Sequence, residues 1–235
     1  MKSAPQQDSA FLLHSRRYRE NSQLLEVLSE NHGRLALVAR GVGGGRQRAA
    51  DVLQPFRELA LFFSGRTELL TLHKAEPLGA MPLLAGDRLI SGLYINELII
   101  RLTGRGETDD SLYPLYRQAL GQLCSSEPLE PLLRRFEVGL LEHCGYGLAL
   151  LQTTDDEPVR AGDAYVHVLD AGLFRASTAV AGMAISGEAL LALAGQLPFS
   201  PLLLAETKHF MRGVLKHHLG GKPLHARELF TGGKS

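Results

Sequence analysis

An α+β chain is predicted: a five-stranded N-terminal β-barrel of OB type, then a mostly α-helical C-terminal domain carrying a small β-ribbon insertion. Three observations predict it. The first eighty residues hold five short apolar runs separated by turn residues. From Gly86 onward apolar residues recur at helical spacing. Between them, "EPLGAMPLLAG" (76–86) is rich in Pro and Gly and marks the boundary, so the expected domains are 1–80 and 81–235.

The strand candidates follow in order. "AFLLHS" (10–15) is apolar and short, and "QLLEVLS" (23–29) follows the polar "RRYREN". "ENHG" (30–33) is a turn, because Asn tolerates and Gly readily adopts left-handed backbone angles. "RLALVAR" (34–40) alternates, with Leu35, Leu37 and Ala39 on one face. "FRELALFFS" (56–64) and "TELLTLHK" (67–74) flank Ser64-Gly65-Arg66, a hairpin connection. Five strands in about 80 residues suit a small closed barrel; a five-stranded sandwich is the competing architecture.

Helices are expected at 86–103, at 111–124 starting near Pro114, and at 127–147. In the third, Leu129, Leu132, Leu133, Phe136, Leu140 and Leu141 share a face, and Gly145 suits the position past its end. Residues 153–177 break into turn and short-strand signals, a loop or ribbon inserted at about 150–180. Helix returns at 186–196 and 200–221. The last opens with Ser200 as cap and Pro201 as first residue, and closes with Lys216, His217 and His218 before Gly220.

Composition narrows the function. Two cysteines make no disulfide scaffold, no run of about 20 apolar residues spans a membrane, and the N-terminus lacks a signal-peptide core. A cytoplasmic protein without membrane partners is expected. The net charge of zero hides a pattern: residues 1–80 and 200–235 are basic, and 81–199 are acidic. Between Arg34 and Arg57 five arginines face Asp51 alone, a field that attracts anions.

That segment includes "GVGGGRQR" (41–48). A dinucleotide fingerprint needs a sixth-position glycine where Arg46 stands, and a P-loop needs Gly-Lys-Ser/Thr where Gly45-Arg46-Gln47 stands. The stretch reads instead as a slack basic arm carrying Arg46 and Arg48, with Arg34, Arg40 and Arg57 at the neighbouring strand ends. The bland alternative is a solvated connection. "HSRRYRE" (14–20) sets Arg16, Arg17 and Arg19 around Tyr18, a pattern in which cations follow a single strand and the ring stacks on a base. A charged turn is its bland reading.

Cys124 and Cys144 lack zinc spacing, the nine histidines are scattered, and neither Gly-x-Ser-x-Gly nor His-Glu-x-x-His occurs. No metal, cofactor or catalytic residue is therefore expected. On the helical part Lys208, Arg212 and Lys216 form a stripe, and Arg134 and Arg135 flank Phe136. An apolar floor with a basic rim suits an acidic peptide that ends in an apolar residue and a carboxylate. A solvated helix face is the alternative.

The stretches "LLEVLSENHGRLALVARGV", "LQPF", "SGLYINELI", "LLRRFEVGLLEHCGYG" and "LGGKPLHARELF" together resemble the bacterial recombination mediator family RecO, of the RecFOR repair pathway. The resemblance runs from about Ala10 to Phe230. It implies an OB barrel, a helical domain and no enzymatic turnover. It implies binding and annealing of single-stranded DNA, binding of double-stranded DNA, and loading of RecA with RecR. It also implies that the helical domain engages the acidic C-terminal tail of single-stranded DNA-binding protein, and a cytoplasmic, nucleoid-associated location. Some members bind zinc through two Cys-x-x-Cys pairs after the Gly-Tyr segment. No cysteine follows Tyr146 here, which places the chain with a zinc-free branch. Two other classes stay open on the residues alone: a metal-dependent nucleic-acid-processing enzyme and a purely protein-binding adaptor.

Overall fold

The computed structural model describes residues 4–40, 51–107, 110–177 and 180–226. Strands β1 (Gln6–Tyr18), β2 (Ser22–Ser29), β3 (Gly33–Arg40), β4 (Glu58–Ser64) and β5 (Leu69–Pro77) close in the order β1-β2-β3-β5-β4. All pairs are antiparallel except β3 with β5. This is an OB-type barrel, so the sandwich is excluded. Alternation builds its interior: Ala10 and Leu12, Leu25 and Val27, and Leu59, Leu61 and Phe63 all point into one core, which Leu53 also enters.

β1 reaches four residues further back and three further on than its apolar run. The polar "RRY" stays in the strand because β2 pairs with it through Tyr18↔Ser22. Its register slips between Leu12 and His14, which leaves Leu13 as an extra residue, a bulge. At the other end the buried Asp8 carboxylate accepts hydrogen bonds from the Ser29 hydroxyl, the Asn31 backbone and side chain, and His32. Burial pushes this carboxyl up, but the hydrogen bonds from Ser29, His32 and Asn31 outweigh it and hold the group below its ordinary value. The β2–β3 turn is thus clamped by a carboxylate from β1.

Helices α1 (Gly86–Leu102) and α2 (Leu112–Leu123) complete the first unit. The described residues up to Ser126, with His225 and Ala226, form one compact unit, and Glu127–Leu224 form a second. The change from strand to helix near residue 80 falls inside the first. Phe11, on the outer face of β1, packs its ring 5.2 Å from Tyr113 and 5.1 Å from Tyr116 of α2. In α1, Asn96 donates to the Leu13 carbonyl at 2.9 Å and accepts from the Tyr116 hydroxyl at 2.6 Å. Glu97 accepts from the backbone N–H groups of His225 and Ala226. After α1 the chain crosses the start of β3 so closely that a Cβ on Gly33 would lie 1.9 Å from the Glu107 carbonyl oxygen. Gly33, at φ 63°, is required on both counts.

The second unit comprises α3 (Leu129–His143), β6 (Ala164–Val168), β7 (Gly172–Arg175), β8 (Met183–Ser186), α4 (Gly187–Leu193) and α5 (Pro201–His218). The expected ribbon is β6–β7, and β8 adds a third strand on the other side of β6. Ser200 caps α5 through the Leu203 N–H, with Pro201 at its first turn. Gly145 ends α3 at φ 76° and lets the Tyr146 N–H reach the Leu141 carbonyl. Glu130 pairs with Lys208 and Tyr146 stacks on His218, so α3 and α5 run in the same direction.

A histidine cluster closes the far end of this unit. The His217 Nε2 lies 3.1 Å from the Asp170 carboxylate, His218 stacks at 4.2 Å on Tyr146, and the buried His167 meets Phe210 edge-on. Burial, then the charge of His218, pushes His167 below the ordinary 6.5, with Asp170 opposing. Burial, then His217, does the same to His218. Folding therefore favours both neutral rings. Their contribution is complete above about pH 6.5 and is lost as acid charges them. The thermal midpoint is expected to fall between about pH 7.5 and about pH 5.5. His218→Phe, which keeps the ring on Tyr146, should show a smaller fall in circular-dichroism melts.

Candidate nucleic-acid interface

The barrel brings part of the expected basic set together. Register pairs Tyr18 with Ser22 and Ser22 with Arg40, so these three form one cross-strand row. Arg16 pairs with Leu24 in the next row on the same face, since opposite residues of antiparallel strands share a face. Two strand spacings separate Tyr18 from Arg40, about 10 Å. Arg16 and Arg40 are exposed, and Tyr18 is half-buried. An aromatic ring flanked by two guanidinium groups on a barrel rim presents a stacking plane between donors of the planar fork type.

Three other residues are placed differently from the expectation of one shared face. Arg17 pairs with Gln23, and successive strand residues alternate, so it projects to the opposite side from Arg16. Arg34 is spent internally. Its side chain is 11% exposed, it pairs with Glu26 at 2.8 Å, and it donates to the Thr103 carbonyl at 2.6 Å. Glu26 also holds Arg105, so a buried carboxylate and the segment after α1 occupy this guanidinium. Arg57 stands one residue before β4 with its Nε shielded from solvent. Arg46 and Arg48, and with them the expectation of a slack arm, lie outside the described residues.

Arg19 gains a place in the site. It takes φ 55° at the tip of the β1–β2 hairpin and sets its guanidinium carbon 5.3 Å from the Tyr18 ring centroid. The charge cluster was visible in the sequence. The left-handed backbone was not, because arginine seldom adopts it.

In the second unit Phe136 and Arg134 are buried, at 2% and 4% exposure. Arg134 pairs with the fully buried Glu137 at 2.6 Å. It leaves the expected rim because α3 is covered by both α4 and α5. Arg212 and Lys216 are exposed on α5, while Lys208 is held by Glu130. Arg135 is open and lines a cleft of about 570 Å³ together with Pro131, Leu197, Pro198 and Phe199. Its guanidinium lies 4.0 Å from the exposed Glu127 carboxylate.

Among the described residues no three His, Cys, Asp or Glu side chains are grouped so as to hold a metal ion. No helix among them is long and apolar enough to cross a membrane.

Comparison with known proteins decides the family. The family model "Recombination protein O N terminal" matches residues 1–81, and "Recombination protein O C terminal" matches 83–228. The chain belongs to the RecO family of recombination and DNA repair proteins. Similar relatives include the DNA repair protein RecO of Nitrosococcus oceani, 40% identical over 94% of this chain and 90% of the relative. That of Methylococcus capsulatus is 41% identical over 95% and 92%. That of Alkalilimnicola ehrlichii is 41% identical over 94% and 89%. The RecO resemblance carried by the "SGLYINEL" stretch has a physical basis. Gly92 admits the Phe56 ring, Asn96 ties α1 to β1 and α2, and Glu97 receives the returning chain at His225.

Proposed function

We propose that this chain is a DNA-binding recombination mediator without catalytic turnover, and that single-stranded DNA runs across the Arg16–Tyr18–Arg40 face of the barrel. The observation that carries the reading is the cross-strand row Tyr18–Ser22–Arg40 on the OB barrel of a RecO-family chain. Two guanidinium groups neutralise phosphates and the ring takes a base. Arg46 and Arg48 follow Arg40 closely in sequence and add positive charge for the phosphate backbone. The same face serves double-stranded DNA through its phosphates alone. In the second unit the cleft beside Arg135 receives the acidic C-terminal tail of single-stranded DNA-binding protein. A phenyl and two proline rings supply the apolar floor, and the guanidinium meets the terminal carboxylate. With RecR as partner, these two sites allow annealing of complementary strands and loading of RecA.

The test is a salt titration of oligonucleotide binding. Arg16→Ala/Arg40→Ala is expected to bind at least tenfold more weakly at low salt. Its log–log salt slope should be shallower by about 1.4, or roughly 0.7 for each phosphate that is no longer neutralised. Unchanged affinity and slope would remove this face from the DNA site.

A further inference from the structure

Resting on the reading of the barrel face as a single-strand site, we propose that Arg19 and Tyr18 form a two-sided clamp for one unpaired base, with the Arg19 guanidinium as its movable jaw. Two observations carry it. Arg19 holds a left-handed backbone, φ 55°, although glycine or asparagine is the usual occupant of such a turn position. That conformation brings the side chain back over its neighbour, with its guanidinium carbon 5.3 Å from the Tyr18 ring. The left-handed turn and the cation–π pair are therefore one feature, a guanidinium held over an aromatic ring.

The chemistry of the pair selects its ligand. A guanidinium stacks on a nucleobase as it does on a phenol ring, and both faces of a base can be covered this way. A base inserted between the two planes needs them about 7 Å apart, twice the ~3.5 Å contact distance. Arg19 is exposed, so its side chain can swing outward by the small amount required, whereas Tyr18 is fixed within a paired strand. A paired base inside a duplex offers no free faces. The clamp accordingly discriminates unpaired bases from a duplex, while Arg16 and Arg40 act on phosphates of either.

Arg19→Lys separates the clamp from simple charge, because lysine keeps the cation and loses the plane. The full-length protein is titrated with an oligothymidine and with an oligonucleotide of equal length and charge whose bases are replaced by abasic sites. The wild-type chain is expected to prefer the thymidine strand about tenfold or more, the scale of one base stack. Arg19→Lys and Tyr18→Leu should each reduce that preference severalfold without changing the salt slope. A wild-type chain with no preference, or an Arg19→Lys chain that keeps it, overturns the clamp. Arg16→Ala/Arg40→Ala serves as the separate control. If it binds both strands as tightly as wild type, the barrel-face reading fails. If it binds neither strand while Arg19→Lys keeps the thymidine preference, the clamp alone fails.

Discussion

Glu137→Ala is expected to lower the stability of the Glu127–Leu224 unit by about 3–5 kcal/mol, the usual result of removing one partner from a buried ion pair. Glu137 is fully buried and Arg134 nearly so, with 2.6 Å between Nη2 and Oε1. The Arg134 Nε and Nη1 are enclosed without a hydrogen-bond partner, so the carboxylate is the main compensation for that charge. A domain holds only about 5–15 kcal/mol in total, so the loss should appear as a large drop in the denaturant midpoint. The double variant Arg134→Met/Glu137→Leu should recover most of it, because apolar groups of similar volume can replace a buried pair at little or no cost. A single variant that melts like wild type would mean that the pair is solvated in solution.

The same pair governs how the proposed tail site can be probed. Charge reversal at Arg134 would place two carboxylates together inside the unit and report on folding instead of binding. Arg135, exposed beside the cleft, is the informative position. Neighbours in sequence, the two arginines differ in environment because α3 turns by about 100° per residue. That step carries position 134 toward the packed interior and position 135 toward solvent.

This distinction marks how far the sequence could be read. The five strands and the helices follow from apolar periodicity, and the ends of α3 and α5 follow from Gly145, Ser200 and Pro201, whose backbone preferences are local. Strand β8 escaped because Met183–Ser186 is too short to show a period beside the apolar run leading into α4. The basic face was legible as a cluster but not as a geometry. Alternation on β1 parts Arg17 from Arg16, and a distant carboxylate, Glu26, captures Arg34. Both depend on register and tertiary packing, which local residue preferences do not encode.

Beside the packing of Phe11 on Tyr113 and Tyr116, a hydrogen-bonded tie between β1, α1 and α2 runs through Asn96, and its removal is the second large effect expected. Leu13 is the extra residue of the β1 bulge, and its carbonyl finds its partner in the Asn96 amide at 2.9 Å. The Asn96 oxygen accepts from the fully buried Tyr116 hydroxyl. Burial strongly raises the Tyr116 pKa, with the Asn96 hydrogen bond opposing, so the hydroxyl stays protonated and acts as a donor. Asn96→Leu fills a similar volume but strands a buried carbonyl and a buried hydroxyl at once. Each costs about 1–3 kcal/mol, so the loss should be about 3 kcal/mol. Tyr116→Phe alone should cost about 1 kcal/mol, since the amide keeps its bond to the Leu13 carbonyl. In the Asn96→Leu background the same change should be neutral or stabilising, because it removes a hydroxyl that no longer has a partner. Denaturation of the four chains forms a double-mutant cycle, and the coupling is expected to exceed about 1 kcal/mol. Strict additivity would mean that the two side chains act independently and that another group satisfies the Tyr116 hydroxyl.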